Sequence, residues 1–586
     1  MIKKLARSIR EYKKPAILTP LFMVGEVVME VLIPLLMANL IDFGIEMGDM
    51  GYILKMGTVL VISCLASLAF GMLSGHFAAV ASSGFGKNLR SDLFAKVQGF
   101  AFSNIDKFSS ASLVTRLTTD VASIQNTFAM CIRMVVRAPL MFLTSLIMAI
   151  FINPTLSLIF LAAIPILAGG IAFIMTHAHP IFKRTFKLYD KLNRVVQENL
   201  HGVRVVKAFV REDYETEKFN EVSGSIYKDF TKAEKIVSYN SPLMQFCSYA
   251  CILLISWIGA QLIVASGNDQ ALGLTTGQLT SLFSYGMQIL SSLMMVSFIF
   301  LMLVISRASG ERIVEVLDET SDLASPENAK TEVKDGSVAF ENVTFRYGRT
   351  AEKPVLDHIN ITIPSGATVG VIGGTGSSKS TLVQLIPRLY DTVEGSVKVG
   401  GVDVREYDLD ALRNAVAMVL QKNELFSGTI KENLRWGNKN ATDEELIHAC
   451  KLAQADEFVT SFPDGYDTHI EQGGTNVSGG QKQRLCIARA LLKKPKILIL
   501  DDSTSAVDTK TDALIRRAFL DEIPDTTKFI IAQRISSVQD ADIILVMEEG
   551  RIDGVGTHEE LLNTNAIYKE VYESQQKGGG DDDFDR

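Results

Sequence analysis

Long stretches of this chain have no charged side chains. Residues 56–86 and 138–182 contain no Asp, Glu, Lys or Arg, and residues 236–306 contain only Asp269. Each stretch is longer than the roughly 20 residues that an α-helix needs to cross a lipid bilayer. A soluble protein of 586 residues could bury many apolar side chains in several cores. The way they are distributed argues against that class and predicts a membrane domain.

Other patterns are missing as well. No segment interleaves basic with aromatic residues in the way typical of nucleic-acid binding, so we expect no nucleic-acid partner. The first apolar run begins after residue 14, is too long for a signal peptide and lacks a cleavage site of small residues, so we expect no cleavable signal peptide. The cysteines have no metal-site spacing and are expected to act as small apolar side chains. They are Cys64, Cys131, Cys247, Cys251, Cys450 and Cys486.

Polar or turn-forming points divide the two longer apolar stretches, at Asn153-Pro154 and at Gly267-Asn268-Asp269. The polar stretches 87–127 and 183–235 keep a helical pattern, and we interpret them as cytoplasmic extensions of membrane helices. With a further apolar run near the N-terminus, the pattern predicts six spanning helices, at residues 15–42, 54–80, 128–152, 155–177, 240–266 and 274–306.

Lys and Arg are unevenly placed around these helices. The segment 183–235 contains twelve of them, and the N-terminal 14 residues are also basic. Because basic loops stay on the cytoplasmic side, we expect a multi-pass protein of the cell membrane with both termini in the cytoplasm and the lipid bilayer as a partner. The loops expected on the outer side contain no Lys or Arg: 42–54, 152–157 and 266–273.

A glycine-rich loop, Gly-Gly-Thr-Gly-Ser-Ser-Lys-Ser, occupies residues 373–380. It lies between a strand-like apolar run and a helix-like run, as a phosphate-binding loop requires. Backbone N–H groups and the positive end of the helix dipole would converge on phosphates. Lys379 would reach the β- and γ-phosphates of ATP, and the Ser380 hydroxyl would hold Mg²⁺. The predicted binding residues of the loop are Gly373, Gly374, Thr375, Gly376, Ser377, Ser378, Lys379, Ser380 and Thr381.

Two downstream features extend this nucleotide site. The apolar run 496–500 is typical of a buried strand and ends in the carboxylate of Asp501, which is expected to organise Mg²⁺. Before that run, the sequence Ser478-Gly479-Gly480-Gln481 resembles the signature of the ATP-binding cassette (ABC) family. The resemblance covers the chain from about residue 10 to residue 572. It implies ATP and Mg²⁺ as cofactors and a six-helix membrane domain fused to one cassette, which is the arrangement of ABC exporters.

The fold class implied is multidomain. An all-α polytopic membrane domain, with six transmembrane helices and long cytoplasmic extensions, precedes an α/β P-loop NTPase domain with an antiparallel β subdomain and a helical subdomain. We expect the membrane domain at 1–318, a polar linker at 319–336, the nucleotide-binding domain at 337–572 and a disordered low-complexity tail at 573–586.

The resemblance also implies roles for single residues. Tyr347 looks like the aromatic residue that stacks on adenine, and Gln421 looks like the loop glutamine that touches Mg²⁺ and faces the membrane domain. The segment 505–508 looks like the loop that crosses between two cassettes. Three further segments resemble parts of ABC exporters that couple the two domains: 108–120, 202–209 and 275–279.

Three positions depart from the family pattern within one ATP site. Ser378 stands where the family has glycine, Asp502 where it has the glutamate that polarises the attacking water, and Gln533 where it has a histidine that contacts the γ-phosphate. Aspartate is one methylene shorter than glutamate, and a misplacement of about 1 Å can cost about 100-fold in rate. An amide can donate to a phosphate but cannot carry positive charge. We therefore expect this site to bind ATP and to hydrolyse it poorly.

The signature, by contrast, is intact. In the family that the chain resembles, two cassettes close head-to-tail, so that each ATP lies between one chain's phosphate loop and the other chain's signature. We therefore interpret the chain as one half of a heterodimeric exporter of amphipathic small molecules, drugs or lipids, with hydrolysis mainly at the site of the second half-transporter subunit. Two alternatives stay open: a homodimeric exporter with slow turnover, and a non-pumping ATP-gated channel or regulatory membrane ATPase.

Four charged residues fall inside predicted membrane helices. Glu26 and Glu30 lie one turn apart in the first helix, and Arg133 and Arg137 lie one turn apart in the third. At about 1.5 Å per residue, the two pairs overlap in depth. Charges at such depth face an aqueous cavity or one another. We expect contact with substrate in a cavity, a structural pair between helices, or snorkelling to the inner interface.

Overall fold

The structure is a computed structural model that describes residues 1–268, 273–347 and 353–578. The first half of the chain is helical. Six helical stretches of the described chain are long and apolar enough to cross a membrane, as the sequence predicts. The helices of this half are α1 (Ile2–Leu5), α2 (Lys13–Leu40), α3 (Met50–Gln98), α4 (Phe102–Phe108), α5 (Ser110–Thr115), α6 (Val121–Ile152), α7 (Pro154–Ala208), α8 (Glu212–Ser238), α9 (Asn240–Ser266) and α10 (Thr276–Asp318).

The ends of the long helices follow from local chemistry. Asn153 separates α6 from α7, and its side-chain oxygen accepts a 3.0 Å hydrogen bond from the Leu156 N–H, with proline at the first helical position. Gly267 ends α9 in the left-handed region, at a φ of 65°. Thr275 and Gln278 cap the start of α10 reciprocally. Residues 269–272 of the predicted loop between these helices lie outside the described residues.

Two helices extend far past bilayer length. α3 has 49 residues and α7 has 55, whereas about 20 suffice for a span. The predicted helical extensions are therefore present. In this half of the chain, a buried core joins four of the helices through Val27, Val31, Phe160, Ile255, Tyr285 and Ile289.

The chain forms two compact units. The first comprises Met1–Gln98 and Ser110–Glu319, and the second comprises Gly99–Ser109 and Thr320–Arg586. α4 lies within the range expected for the membrane domain, yet it groups with the second unit.

Strands dominate the framework of the second unit. A four-stranded sheet has the order β2-β1-β4-β5, a six-stranded sheet has the order β12-β11-β3-β10-β9-β6, and β7 pairs with β8. The strands are β1 (Val338–Phe345), β2 (Leu356–Ile363), β3 (Thr368–Gly373), β4 (Glu394–Val399), β5 (Val402–Asp403), β6 (Val416–Val419), β7 (Gly428–Thr429), β8 (His469–Ile470), β9 (Ile497–Asp501), β10 (Thr527–Ile531), β11 (Ile543–Glu548) and β12 (Arg551–Gly556).

The three strands of the six-stranded sheet that lead to the nucleotide site are parallel. β10 lies between β3 and β9, and all three run in the same direction, with Ile531 opposite Val371 on one side and Asp501 on the other. Nearly all residues of these strands are buried, which explains the apolar runs Ile497–Leu500 in β9 and Phe529–Ile531 in β10. Their carboxyl ends meet at one edge of the sheet, where ligands bind in this kind of fold.

Helices pack on the sheets of the second unit. The structure thus confirms the predicted fold class. The antiparallel sheet of β1, β2, β4 and β5 is the β subdomain, and α13 to α16 pack together as the helical subdomain. α19 continues to Gly578, so the residues from 573 to 578 are helical where a disordered tail was expected, and 579–586 lie outside the described residues. The helices are α11 (Lys379–Gln384), α12 (Leu409–Ala415), α13 (Ile430–Leu434), α14 (Asp443–Leu452), α15 (Asp456–Ser461), α16 (Gly479–Leu491), α17 (Thr509–Glu522), α18 (His558–Thr564) and α19 (Ala566–Gly578).

Candidate nucleotide-binding site

The glycine-rich loop connects β3 to α11 at the edge of the parallel sheet. Gly373 has a φ of 152°, and a Cβ built on it would lie 2.2 Å from the carbonyl oxygen of Met547. Only glycine fits at that position, because any side chain would overlap the neighbouring strand β11. Gly374 is different, since a Cβ there would meet nothing within 4 Å. The loop thus combines one glycine required by packing with one in open space.

Ser378 stands immediately before α11 and has a φ of 72°, in the left-handed region. An L side chain in this region costs roughly 1–2 kcal/mol, whereas glycine adopts it readily. This backbone conformation gives a physical reason for the glycine that the family pattern places here. The departure at Ser378 therefore introduces backbone strain into the loop.

Lys379 is the first residue of α11. Its Nζ donates hydrogen bonds to the carbonyl oxygens of Gly373, at 2.9 Å, and Gly374, at 2.8 Å. Burial lowers the pKa of the Lys379 ammonium, while the carboxylates of Asp501 and Asp502 act in the opposite direction. The ammonium is thus held over the loop that is predicted to bind phosphates.

Two residues assigned to Mg²⁺ lie together. The Ser380 hydroxyl donates a 2.8 Å hydrogen bond to Oδ1 of Asp501, which is buried at the end of β9. Burial raises the pKa of the Asp501 carboxyl, and neighbouring Asp502 raises it further. A hydroxyl beside a buried carboxylate fits Mg²⁺, which prefers oxygen ligands and takes its others from phosphates and water. Gln421 is exposed beyond the end of β6, and its side chain makes no hydrogen bond to Ser380 or Asp501 in the described structure.

Asp502 and Gln533 approach one another across the ends of β9 and β10. Gln533 Nε2 donates a 3.0 Å hydrogen bond to Oδ2 of Asp502. Asp502 has a φ of 48°, and its N–H donates to the carbonyl oxygen of Ile531 at 3.1 Å. The Gln533 carbonyl in turn accepts a 2.8 Å hydrogen bond from Gln575 of α19. The two positions that the sequence predicts to impair hydrolysis are therefore direct neighbours.

Tyr347 follows β1, and about half of its surface is exposed. Its hydroxyl lies 2.8 Å from Oγ1 of Thr381 in α11, which ties the ring to the phosphate loop. Phe345 and Tyr390 both meet the ring edge-on, with centroids 5.0 and 5.2 Å away. Sequence reasoning missed Tyr390, because no local pattern shows that it faces Tyr347.

The signature forms the N-terminus of α16. Ser478 and Gln481 cap the helix reciprocally, at 3.3 and 2.9 Å, and Ser478 is exposed. A Cβ on Gly480 would lie 2.7 Å from the carbonyl oxygen of Ala506, so this glycine allows close packing on the segment 505–508. Within the described structure no hydrogen bond joins Ser478, Gly479, Gly480 or Gln481 to the phosphate loop.

Gln483 is a second residue that sequence reasoning did not identify. Its Oε1 accepts a 3.1 Å hydrogen bond from the Ala506 N–H, and its Nε2 donates to Ser505 Oγ at 3.3 Å. Ser505 Oγ donates onward to the carbonyl oxygen of Asp502 at 3.0 Å. A continuous chain of hydrogen bonds thus joins Asp502 to the signature helix. The glutamine follows the signature by two residues, and that proximity is the only sequence signal for its role.

The charged residues of the membrane helices form a cluster in the first unit. Arg137 on α6 binds both acids of α2, Glu26 Oε1 at 2.5 Å and Glu30 Oε1 at 2.7 Å. Glu26 is 8% exposed, and its Oε2 is buried without a hydrogen-bond partner. Arg133 forms no ion pair with either acid in the described structure, and its Nε is also buried without a partner. The structure therefore brings three of the four charges together.

Comparison with known proteins agrees with this organisation. Residues 16–294 match the family described as ABC transporter transmembrane region, and residues 356–505 match the family described as ABC transporter. The chain is 37% identical over 574 residues to the uncharacterized ABC transporter ATP-binding protein YfiB of Bacillus subtilis (strain 168), covering 98% of each chain. It is 36% identical over 490 residues to the uncharacterized ABC transporter ATP-binding protein YknU of the same organism, covering 83% of each chain.

A solved structure has the same fold. It is described as a bacterial Atm1-family ABC exporter with ATP bound, and it superposes with a TM-score of 0.79 at 23% identity, covering 97% of this chain and 98% of that chain. The membrane region and the ATP-binding region thus occur in one chain, in the same order as in that exporter. This protein belongs to the ABC transporter family, with the transmembrane region and the ATP-binding region in one chain, and it shares its fold with an ABC exporter.

Proposed function

We propose that this chain is one half of a heterodimeric ABC exporter that moves amphipathic small molecules, drugs or lipids across the cell membrane. Its own site binds ATP and hydrolyses it poorly, and its signature completes the active site of the partner. The observation that carries the proposal is the hydrogen bond from Gln533 Nε2 to Asp502 Oδ2. At two positions that active family members use for catalysis, the side chains are here hydrogen-bonded to each other.

Three physical effects weaken catalysis at this site. The Asp502 carboxylate is one methylene shorter than the glutamate of the family, and a displacement of about 1 Å from the attacking water can cost about 100-fold in rate. One of its oxygens also accepts the Gln533 amide at 3.0 Å, which competes with a water for that oxygen. The Gln533 amide can donate a hydrogen bond, but it does not titrate and carries no positive charge near the γ-phosphate.

Binding of ATP uses other residues, which match the family pattern except for Ser378 in the phosphate loop. The Tyr347 ring stacks on adenine, and the N–H groups of residues 373–380 with Lys379 surround the phosphates. Ser380, Asp501 and Gln421 would hold Mg²⁺, which supplies positive charge to the β- and γ-phosphate oxygens. The site therefore keeps its affinity for ATP while its turnover is low.

The signature serves the partner's nucleotide. Ser478 is exposed at the N-terminus of α16, a helix of 13 residues whose first N–H groups and dipole favour an anion. Gly479, Gly480 and Gln481 follow at the same helix end. With this surface set against the partner's phosphate loop, hydrolysis of the pair depends on Ser478 of this chain and on catalytic residues of the partner.

The membrane half supplies the translocation path. The distribution of basic residues favours a cytoplasmic position for both termini, on the side where ATP is available. The domain limits proposed from the sequence, 1–318, 319–336 and 337–572, assign the path to the first range and ATP binding to the last. The cluster of Glu26, Glu30 and Arg137, with Arg133 one turn away, borders that path. Because two acids pair with one arginine, the net negative charge of these three residues favours a cationic substrate.

A purification experiment tests the proposal. The chain carrying a C-terminal affinity tag is isolated from its native membrane, and the subunits are identified and weighed as an intact complex. We expect one copy of a second half-transporter that carries the catalytic glutamate and histidine, and ATPase activity far above that of this chain alone. A homodimer with ATPase activity no higher than that of this chain alone would support slow homodimeric export, whereas ATP-dependent currents without transport would support the channel alternative.

A further inference from the structure

An aromatic cluster beside the candidate adenine site extends into the segment Gly99–Ser109. Tyr390 meets the ring of Tyr347 edge-on, at 5.2 Å and 88°, and it also packs against Phe345 at 5.6 Å. On its other side it contacts Phe102 of α4, with centroids 6.0 Å apart. Aromatic pairs in such arrangements add to the stability that burial alone gives. Tyr390 is thus the residue shared by the candidate adenine site and α4.

A hydrogen bond reinforces this link. The Tyr390 hydroxyl donates to Oδ2 of Asp106 at 2.9 Å, and a bond to a carboxylate is stronger than one between neutral groups. Burial raises the pKa of the Tyr390 phenol, and the Asp106 carboxylate raises it further, so the hydroxyl keeps its proton at all physiological pH values. The donor of this bond is therefore always present.

The segment that carries Asp106 has further attachments in the same unit. Asn104 Nδ2 donates a 3.1 Å hydrogen bond to the carbonyl oxygen of Thr320, which begins the chain leading into the cassette. Phe100 and Phe108 stack on each other at 5.8 Å. Gly99–Ser109 interrupts the sequence of the first unit, between α3 and α5, and yet it belongs to the second unit. Its position depends on contacts such as that with Tyr390.

We propose that Tyr390 is a positioning residue for the adenine site, which holds Tyr347 in its stacking orientation and ties nucleotide binding to the order of the segment Gly99–Ser109 through Asp106. The proposal rests on the proposed stacking of Tyr347 on adenine. By linkage, a segment that is stabilised when ATP binds must raise the affinity for ATP by the same factor. Breaking the bond between Tyr390 and Asp106 therefore lowers ATP affinity and uncouples the segment from the nucleotide.

The test uses the full-length chain in lipid nanodiscs. The affinity for MgATP and for magnesium tripolyphosphate, which has no base, is measured for the native chain, Tyr390→Phe, Asp106→Ala and Tyr347→Ala. Amide hydrogen exchange of residues 99–109 is followed with and without MgATP. Tyr466→Phe is the matched control, because the Tyr466 hydroxyl also donates to an aspartate, Asp456, at 2.7 Å within the helical subdomain.

We expect Tyr390→Phe and Asp106→Ala each to weaken MgATP binding about fivefold, the lower end of typical coupling between sites. Both should leave tripolyphosphate binding unchanged and remove the protection of 99–109 by MgATP, while Tyr466→Phe changes neither. A purely structural role would lower affinity for both ligands equally, and that result would overturn the proposal. So would native affinity and protection in Tyr390→Phe. If Tyr347→Ala weakens MgATP and Tyr390→Phe does not, only the positioning role fails. If Tyr347→Ala also binds normally, the adenine site itself is wrong.

Discussion

Gln533 Nε2 donates a 3.0 Å hydrogen bond to Oδ2 of Asp502, across the ends of two neighbouring parallel strands. The main chain of Asp502 is joined to the signature helix through Ser505 and Gln483. One polar network therefore includes two of the three departures from the family pattern, together with the motif that we propose to serve the partner. The same network thus contains the two side chains on which we base the proposal of poor hydrolysis at this site.

Asp502→Ala should leave most of the ATPase activity of the proposed heterodimer, because we propose that hydrolysis takes place at the partner's site. The measurement is steady-state ATPase activity of the purified pair. Alanine in place of the partner's catalytic glutamate serves as the reference and should abolish activity. A loss in Asp502→Ala as large as that of the reference would contradict a poorly hydrolysing site in this chain.

Ser478→Arg should abolish ATPase activity of the pair and spare its assembly. The substitution adds bulk and a positive charge at the end of α16, next to the Mg²⁺ and lysine of the partner's site. Activity is compared with that of Ser461→Arg, an exposed serine at the end of α15. Unchanged activity of the signature variant, with the pair intact by size-exclusion chromatography, would reject the arrangement in trans.

Ser378→Gly should stabilise the chain, because glycine removes left-handed strain of roughly 1–2 kcal/mol that serine suffers at a φ of 72°. The greater freedom of glycine in the unfolded chain offsets about 0.5–1 kcal/mol of that gain. Ser377→Gly is the matched control. Ser377 is buried and has an ordinary φ, so its replacement should lower the melting temperature. Equal shifts in the two variants would show that φ at residue 378 is not the cause.

Gly373→Ala and Gly374→Ala should differ sharply. The new methyl group at residue 373 would lie 2.2 Å from the Met547 carbonyl oxygen, whereas the one at residue 374 meets nothing within 4 Å. We expect the first substitution to cost several kcal/mol, of the order seen for overpacking and backbone strain, and the second to change stability by less than about 0.5 kcal/mol. Thermal melting of the full chain measures both. Similar melting temperatures would contradict the packing around β3 and β11.

Arg137→Gln should lower membrane yield and melting temperature, because it leaves two carboxylates without their partner at a cost of about 3–5 kcal/mol. Adding Glu26→Gln and Glu30→Gln to that variant should restore stability. Arg133→Gln is the control, since Arg133 has no ion pair with these acids in the described structure.

The same variants test the proposed cavity. Uptake of a cationic and a neutral amphipathic dye into inverted vesicles of the pair is measured for the stable Glu26→Gln/Glu30→Gln/Arg137→Gln variant. Selective loss of the cationic dye supports contact between the acids and substrate. Equal transport of both dyes would show that the cluster has a structural role and does not contact substrate.

Features that depend on local chemistry can be read from the residues of one short segment. Six spans follow from apolar stretches of bilayer length that contain few or no charged residues, and the division at Asn153-Pro154 follows from capping that two residues specify. The glycine-rich loop and the signature each lie in one short segment, so their residue types alone identify them. The departures at Ser378, Asp502 and Gln533 can be read in the same way.

Tertiary structure decided what lies next to what. The order β3-β10-β9 brings the phosphate loop, Asp502 and Gln533 to one edge, although about 150 residues separate the first from the last. Arg137, and not Arg133, pairs with Glu26 and Glu30 in the described structure, although helical spacing allowed either arginine. Packing also placed Asp106 against Tyr390, 284 positions away. Periodicity and motifs describe neighbours along the chain, whereas these contacts arise from burial and hydrogen bonding between distant segments once the chain is compact.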